Sequence, residues 1–325
     1  MAPSCPFCLS DDGVQHDKPS CASPGAYVCK GCGERVPRFY VEGKRRYPPV
    51  FINAIGFRTH GKGVYFAVLF RALRQMASHW PEFFTTALSE TDLDVVNANI
   101  DTLFGQGRLP PATPNCFPRP TMVRISNAPL PLRNATLLFH DTGGECFEKA
   151  SLLVQHAHYV KRAQTAMLLI RVPRLADPPR DMHSLVNTVL IGMSDLGAET
   201  KKQRLLVVYS CADELVPRMR GWNGLEDYMR SGSLDALGDM RSYMARLCTL
   251  SESLEVFTRK ALGANEFVNA ARASFRSVTF CMVSALGHSP QEGRLCGQPV
   301  PRRVLDPLVW QMHWSASWWD RLWAS

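Results

Sequence analysis

Val50-Phe51-Ile52-Asn53-Ala54-Ile55-Gly56-Phe57-Arg58-Thr59-His60-Gly61-Lys62-Gly63 decides how this chain folds. An apolar run ends in a glycine loop, a lysine closes the loop, and helical apolar spacing begins at Val64. Strand, glycine loop, lysine, helix is the layout of a phosphate-binding loop. The glycines let backbone N–H groups converge on one small bowl. The helix start adds its own unpaired N–H groups and the positive end of its dipole. The candidate cradle is Gly56, Thr59, His60, Gly61, Lys62, Gly63 and Val64, with Lys62 as a point charge for the outer phosphates. The Ser or Thr that usually follows the lysine and ligates Mg²⁺ is Gly63 here.

Upstream, Cys5-Pro6-Phe7-Cys8 and Cys29-Lys30-Gly31-Cys32 give a C-x2-C…C-x2-C array. Each pair can hold one face of a tetrahedral Zn²⁺, and four thiolates leave no open position. The site therefore reads as structural. So short a segment has little core of its own, so metal would hold it together. Cys21 and His16 are spare candidates, ranked below the four. Charge over residues 1–50 is nearly balanced, which favours docking or capping over nucleic-acid binding.

Downstream, Lys44-Arg45-Arg46-Tyr47-Pro48-Pro49 reads as a linker, and its basic cluster as a solvated hinge before a nucleic-acid patch. Helices are expected from Gly63 to about Ser78 and, after the cap region at Ser89, to about Leu103. Gly105–Pro114 is an irregular loop followed by strands at 120–125 and 135–140, which a short proline loop should pair antiparallel. Thr113 is either a hydroxyl that senses Mg²⁺ or part of an ordinary connector. The second strand delivers His140-Asp141-Thr142-Gly143-Gly144-Glu145. Asp141 would there reach Mg²⁺, and Gly144 would offer its N–H to a terminal phosphate. Glu145 would orient an attacking water. A helix is expected over 145–161, a buried strand over 166–172 and a helix over 181–201. The strand 204–213 ends in Asp213, which either reads a guanine edge or caps the helix starting at Glu214. Helices at 233–250 and 252–262 precede a last strand, 275–284, whose Ser284 and Ala285 could touch a base carbonyl. Trp310, Trp314 and Trp318 form one helical stripe within 306–323. It reads as a terminal helix on the sheet before a membrane-surface or partner-docking face.

The bulk numbers agree with an ordinary globular protein: 325 residues, 46% hydrophobic and 20% charged. The formal charge of +8 is carried by dispersed basic residues. No run is long enough to span a bilayer, and Met1-Ala2-Pro3-Ser4-Cys5 does not begin a signal peptide. Metal-spaced cysteines in an odd total of 11 suit a reducing, cytoplasmic setting.

In their order, Gly56–Gly63, Thr113, Asp141–Glu145, Ser210–Asp213 and Ser284–Leu286 resemble the regulatory GTPases of the translation-factor and Ras-like class. With the cysteine ribbon, and with Val304–Trp310 as a closing helix, the chain resembles the double-GTPase type of bacterial TRAFAC-like proteins. That resemblance implies GTP/GDP as ligand, with Lys62 and the loop backbone on the phosphates. It also implies Asp141 on Mg²⁺, Gly144 on the terminal phosphate and Glu145 on the water. Asp213, Ser284 and Ala285 would read the base. Of the Asn-Lys-x-Asp box only the aspartate is kept, in Ser210-Cys211-Ala212-Asp213, so guanine selectivity is open. The family context is a switch in bacterial defence, read by partner proteins.

The expected architecture is a mostly parallel α/β P-loop sheet with helices on both faces, preceded by a small zinc ribbon. The ribbon is 1–40 and the linker 41–49. The P-loop domain is 50–325, with a helical insertion at about 214–273 and a tryptophan-rich C-terminal helix. Two functions follow from different classes. One is a nucleotide switch with slow or partner-dependent hydrolysis; the other is a pseudo-GTPase adaptor docking through the ribbon and the last helix.

Overall fold

The computed structural model describes residues 4–11, 13–17, 26–222, 224–232 and 237–316. Cys21 and residues 317–325, with Trp318, lie outside them, as do residues 233–236 of the helix expected over 233–250.

Three short strands, β1 (Val14–His16), β2 (Tyr27–Cys29) and β3 (Arg35–Val36), form an antiparallel sheet that carries the cysteine pairs. Helix α1 (Arg38–Gly43) follows, so the stretch read as a linker holds the end of a helix. Tyr40 explains this: it is buried, with Cys5, Phe7 and Val36, against Leu88, Met122 and Leu138 of the large domain. The ribbon is thus packed on the domain through an apolar face.

The large domain begins with β4 (Pro49–Ile55), the glycine loop and α2 (Lys62–His79). Next come β5 (Phe84–Ala87), α3 (Glu90–Ile100), β6 (Thr121–Ser126) and β7 (Ala135–His140). The Ser89 side chain caps α3 by accepting from the Asp92 N–H. Then α4 (Ala150–His156), β8 (Thr165–Ile170), α5 (Pro178–Asp195) and β9 (Arg204–Tyr209) follow. Helices α6 (Ala212–Met219), α7 (Leu225–Arg230), α8 (Met240–Lys260) and α9 (Asn265–Ser274) lead to β10 (Ser277–Met282) and α10 (Asp306–Ser315).

Seven strands join in the order β10-β9-β8-β4-β7-β6-β5. The first five are parallel; β6 runs antiparallel to β7, and β5 antiparallel to β6. β7, β8 and β9 are almost wholly buried, and the side chains of β8 and β9 alternate between two cores. Leu137, Met167, Leu206 and Cys281 meet α2 and α10 on one face. Leu168, Val207 and Phe280 meet α4, α5 and α9 on the other. This is the α/β sheet with helices on both faces that the sequence predicts.

Three boundaries differ from expectation. The helix expected over 145–161 is broken into a 3-10 turn at Gly144–Phe147, α4, and a second 3-10 turn at His158–Lys161. Phe147 and Leu153 are both fully buried, yet a straight helix would hold them about 120° apart. α5 starts at Pro178, where prolines suit the first turn. It ends at Asp195, with Gly197 in the left-handed region just beyond. α8 is continuous where two helices were expected: Ser251 does not break it but accepts the Phe280 N–H.

Candidate functional site

The C-terminal end of the parallel strands is the crevice where such sheets bind ligands. Four loops with candidate residues meet there. The loop after β4 turns on Gly61 (φ +79°), and α2 opens with no side-chain cap. The first helical hydrogen bond runs from Tyr65 N–H to Gly61 C=O. The N–H groups of Lys62, Gly63 and Val64 thus have no acceptor within the helix. Gly56 is required by close approach, since a Cβ there would lie 2.7 Å from the Leu169 carbonyl oxygen.

Lys62 is 7% exposed. Its ammonium donates to the carbonyls of Gly56 (2.8 Å) and Phe57 (3.3 Å). An ammonium has three donors, so one is left for a ligand. Burial pulls its pKa down, opposed by the carboxylates of Asp141 and Glu145. His60 turns away from the bowl: its Nδ1 lies 3.0 Å from the Leu169 carbonyl oxygen. That partner accepts only, so Nδ1 carries the proton. Burial takes the His60 pKa down to about 4, keeping the ring neutral. Thr59 is exposed, and His60 is buried.

Asp141 stands beside this loop. Its Oδ2 accepts the Thr113 hydroxyl at 2.9 Å, and its Oδ1 is sealed from solvent without a protein partner. Burial raises the Asp141 pKa, with Lys62 and Thr113 opposing. Thr113 lies on the loop before β6, which is tied to the loop after β7 again by the Gly143 N–H on the Pro114 carbonyl, 3.2 Å. Gly144 is pressed against the glycine loop. A Cβ on it would lie 2.6 Å from the Phe57 carbonyl carbon and nearer still to the Arg58 nitrogen. Glu145 follows, and its Oε1 is 2.7 Å from Nε of Arg58.

The base-reading candidates gather at the ends of β9 and β10. The Ser284 hydroxyl donates to the Asp213 carboxylate and accepts the Gly287 N–H at 3.0 Å. Asp213 sits inside the first turn of α6; the cap position is Cys211, with φ +51°. Asp213 thus stands one residue inside the helix start rather than at the cap position, and its carboxylate takes the Ser284 hydroxyl. Cys211 bridges the two regions, with its sulfur 3.9 Å from where a Gly61 Cβ would stand. Burial pushes the Cys211 thiol up to about 11. The Ser210 hydroxyl is buried without a partner, and Ala285 is half-buried.

Sequence reasoning missed Arg58, Arg171 and Glu214. Arg171 and Glu214 form a mostly buried bidentate ion pair beside Asp213, with Nε to Oε2 at 2.9 Å. The signal for Arg58 was present: a long cationic side chain in a loop that otherwise works through its backbone.

In the ribbon, the sulfurs of Cys5, Cys8, Cys29 and Cys32 all lie within 4.8 Å of one another. Two of the separations are 3.8 Å and 3.5 Å. A tetrahedron of zinc–sulfur bonds has edges of about 3.8 Å, so the four fit a metal. The Phe7 N–H also points at the Cys5 sulfur, 3.4 Å. His16 is no part of the cluster; its ring packs edge-on against Tyr27.

Sheet order, loop and helix make this a mostly parallel α/β fold with a P-loop-like strand–glycine loop–helix unit and a four-cysteine module in front. No protein-family model matches the chain, and no curated protein matches it. Among solved structures it is similar to the S. cerevisiae Ski7 GTPase-like domain. The form bound to GDP and inorganic phosphate has a TM-score of 0.34 and 14% identity, covering 84% of this chain and 52% of that one. The GTP-bound form has a TM-score of 0.35 and 15% identity, covering 83% and 51%. The chain thus spans about half the length of these structures. Among the described residues no helix is long and apolar enough to cross a membrane.

Proposed function

We propose that this chain is a P-loop switch that binds a guanine nucleotide, hydrolyses it slowly or only with a partner, and signals through the loops at 105–116 and 142–150. One observation carries the reading. Lys62, Thr113, Asp141, Gly144 and Glu145 come from three separate loops and converge beside the open N-terminus of α2. Lys62 and the backbone of Gly56–Val64 would hold the phosphates. Asp141 and Thr113 would hold Mg²⁺, with water and phosphate oxygens completing its shell. The orphaned Oδ1 of Asp141 suits that role, and the missing hydroxyl at Gly63 weakens it. Such a metal would neutralise charge on the β and γ oxygens. Asp213, steadied by Ser284, would accept from a guanine edge beside Ala285.

Zn²⁺ in the four-cysteine module would be structural. The order of motifs behind such a module supports the double-GTPase, TRAFAC-like assignment. A cytoplasmic place in a bacterial defence system with protein partners follows from that resemblance alone.

A second reading, a pseudo-GTPase adaptor, is favoured by Gly63 together with the pairing of Glu145 to Arg58. The test is a thermal-shift titration with GTP, GDP and ATP, with and without Mg²⁺, after identifying any nucleotide released on denaturation. Stabilisation by guanine nucleotides supports the switch. No stabilisation by any nucleotide supports the adaptor.

A further inference from the structure

Within the glycine loop, one side chain works in a place where the motif otherwise uses backbone. Arg58 lies four residues before Lys62, and its Nε is 2.7 Å from Oε1 of Glu145. The two residues stand on different loops, one after β4 and one after β7, whose backbones touch at Gly144 and Arg58. The ion pair thus spans the seam between the phosphate loop and the turn that would sense a terminal phosphate. It is held from outside: the Arg58 side chain is 67% exposed and that of Glu145 26%. An ion pair this exposed holds weakly. A phosphate dianion offers more charge than one carboxylate, and a guanidinium matches its oxygens with two parallel bonds.

We infer that Arg58 is the residue that distinguishes a triphosphate from a diphosphate, by exchanging Glu145 for the terminal phosphate. The inference rests on the nucleotide-binding reading above and deepens it. It also gives Gly63 a counterpart. Where the loop lacks a metal-ligating hydroxyl, the guanidinium supplies positive charge at the outer phosphate, and Lys62 has one donor left to share the task. When Arg58 moves, Glu145 is released on the surface. A diphosphate leaves the pair closed, so the turn after β7 differs between the two nucleotide states without a metal.

Isothermal titration of the full chain with a non-hydrolysable GTP analogue and with GDP, in EDTA and in Mg²⁺, tests this. The wild type is expected to prefer the triphosphate tenfold or more in EDTA. Arg58→Ala should erase that preference while leaving GDP affinity within twofold, and Arg58→Lys should restore part of it. Glu145→Gln removes the competitor and should tighten the triphosphate several-fold. Should Arg58→Ala misfold, Arg58→Gln and Glu145→Gln decide the question. If the wild type binds both nucleotides and Arg58→Ala keeps the wild-type preference, the role of Arg58 is overturned and the switch reading stands. If the wild type binds neither, both fall together.

Discussion

A Cβ added at Gly63 would stand 3.6 Å from Oδ2 of Asp141, the same oxygen that holds the Thr113 hydroxyl at 2.9 Å. That spacing is an ordinary van der Waals contact, so a Cβ is accommodated at position 63 without a clash. On the proposed reading, Asp141 and Thr113 would be two members of a Mg²⁺ shell and position 63 the missing third. Gly63→Thr is therefore expected to make nucleotide binding depend on Mg²⁺. A tenfold gain in affinity on adding the metal, about 1.4 kcal/mol, and a faster hydrolysis rate are predicted. Equal affinity with and without Mg²⁺ in the variant would count against a vestigial metal position.

Lys62→Ala separates the two functional readings. The ammonium holds the carbonyls of Gly56 and Phe57 and has one donor free. As a nucleotide switch, the protein should lose binding by 100-fold or more, roughly 2.7 kcal/mol. As an adaptor, the variant should bind its partner like the wild type. Fluorescence titration with a labelled nucleotide reads the first outcome and a pull-down the second.

The four-cysteine module should carry one Zn²⁺ per chain by elemental analysis. Structural zinc in such peptides contributes on the order of 10–16 kcal/mol, so Cys29→Ser is expected to empty the site and open residues 4–43 to protease. The large domain has its own core and should stay folded. A chain that is metal-free as purified and equally protease-resistant would sink the zinc assignment.

Much of this was legible in the sequence because it is local. β4, its glycine loop and α2 form one contiguous pattern, and β8 and β9 each carry five apolar residues in a row. The edge strand β5, Phe84–Ala87, left no such signal: it is four residues long, and Phe84 is exposed. The break between Phe147 and α4 was hidden because residues 145–161 are helix-compatible one by one. What splits them is that Phe147, with Lys62 over its ring, and Leu153 are both buried in the second core, from positions a straight helix would turn to different faces. The pairs Arg58–Glu145 and Asp213–Ser284 join residues far apart in the chain. No periodicity marks such a pair, so the types were readable and the partnerships were not.

His60 and His140 make stability depend on pH. Burial depresses both, His60 to about 4 and His140 to about 3, from an ordinary value of 6.5. Below pH 6.5 the unfolded chain binds protons that the folded chain refuses. Their contribution is therefore complete above 6.5 and is lost as pH falls toward 4. For His60 the loss by pH 4 is about 3 kcal/mol. His60→Asn keeps an N–H donor for Leu169 but cannot titrate. Urea unfolding from pH 7 to 4.5 should show a shallower decline for this variant. Acid loss from the cysteine cluster affects both proteins equally and cancels in the comparison. Parallel curves would refute the assignment.

The closing helix is anchored by a buried charge network rather than by its tryptophans alone. Arg303, 2% exposed, pairs with fully buried Asp306 at 2.9 Å, and the hydroxyls of Tyr228 and Tyr243 both reach that carboxylate. The Arg303 guanidinium also lies over the Tyr228 ring, 3.9 Å from its centroid. The network ties α10 to α7 and α8. Removing one partner leaves a buried charge uncompensated, which typically costs about 3–5 kcal/mol. Asp306→Ala should therefore unfold at markedly lower urea than wild type. The double variant Arg303→Met, Asp306→Ala should recover part of the loss, since the stranded guanidinium is gone. A single variant within about 0.5 kcal/mol of wild type would show that the pair does not hold the helix in place.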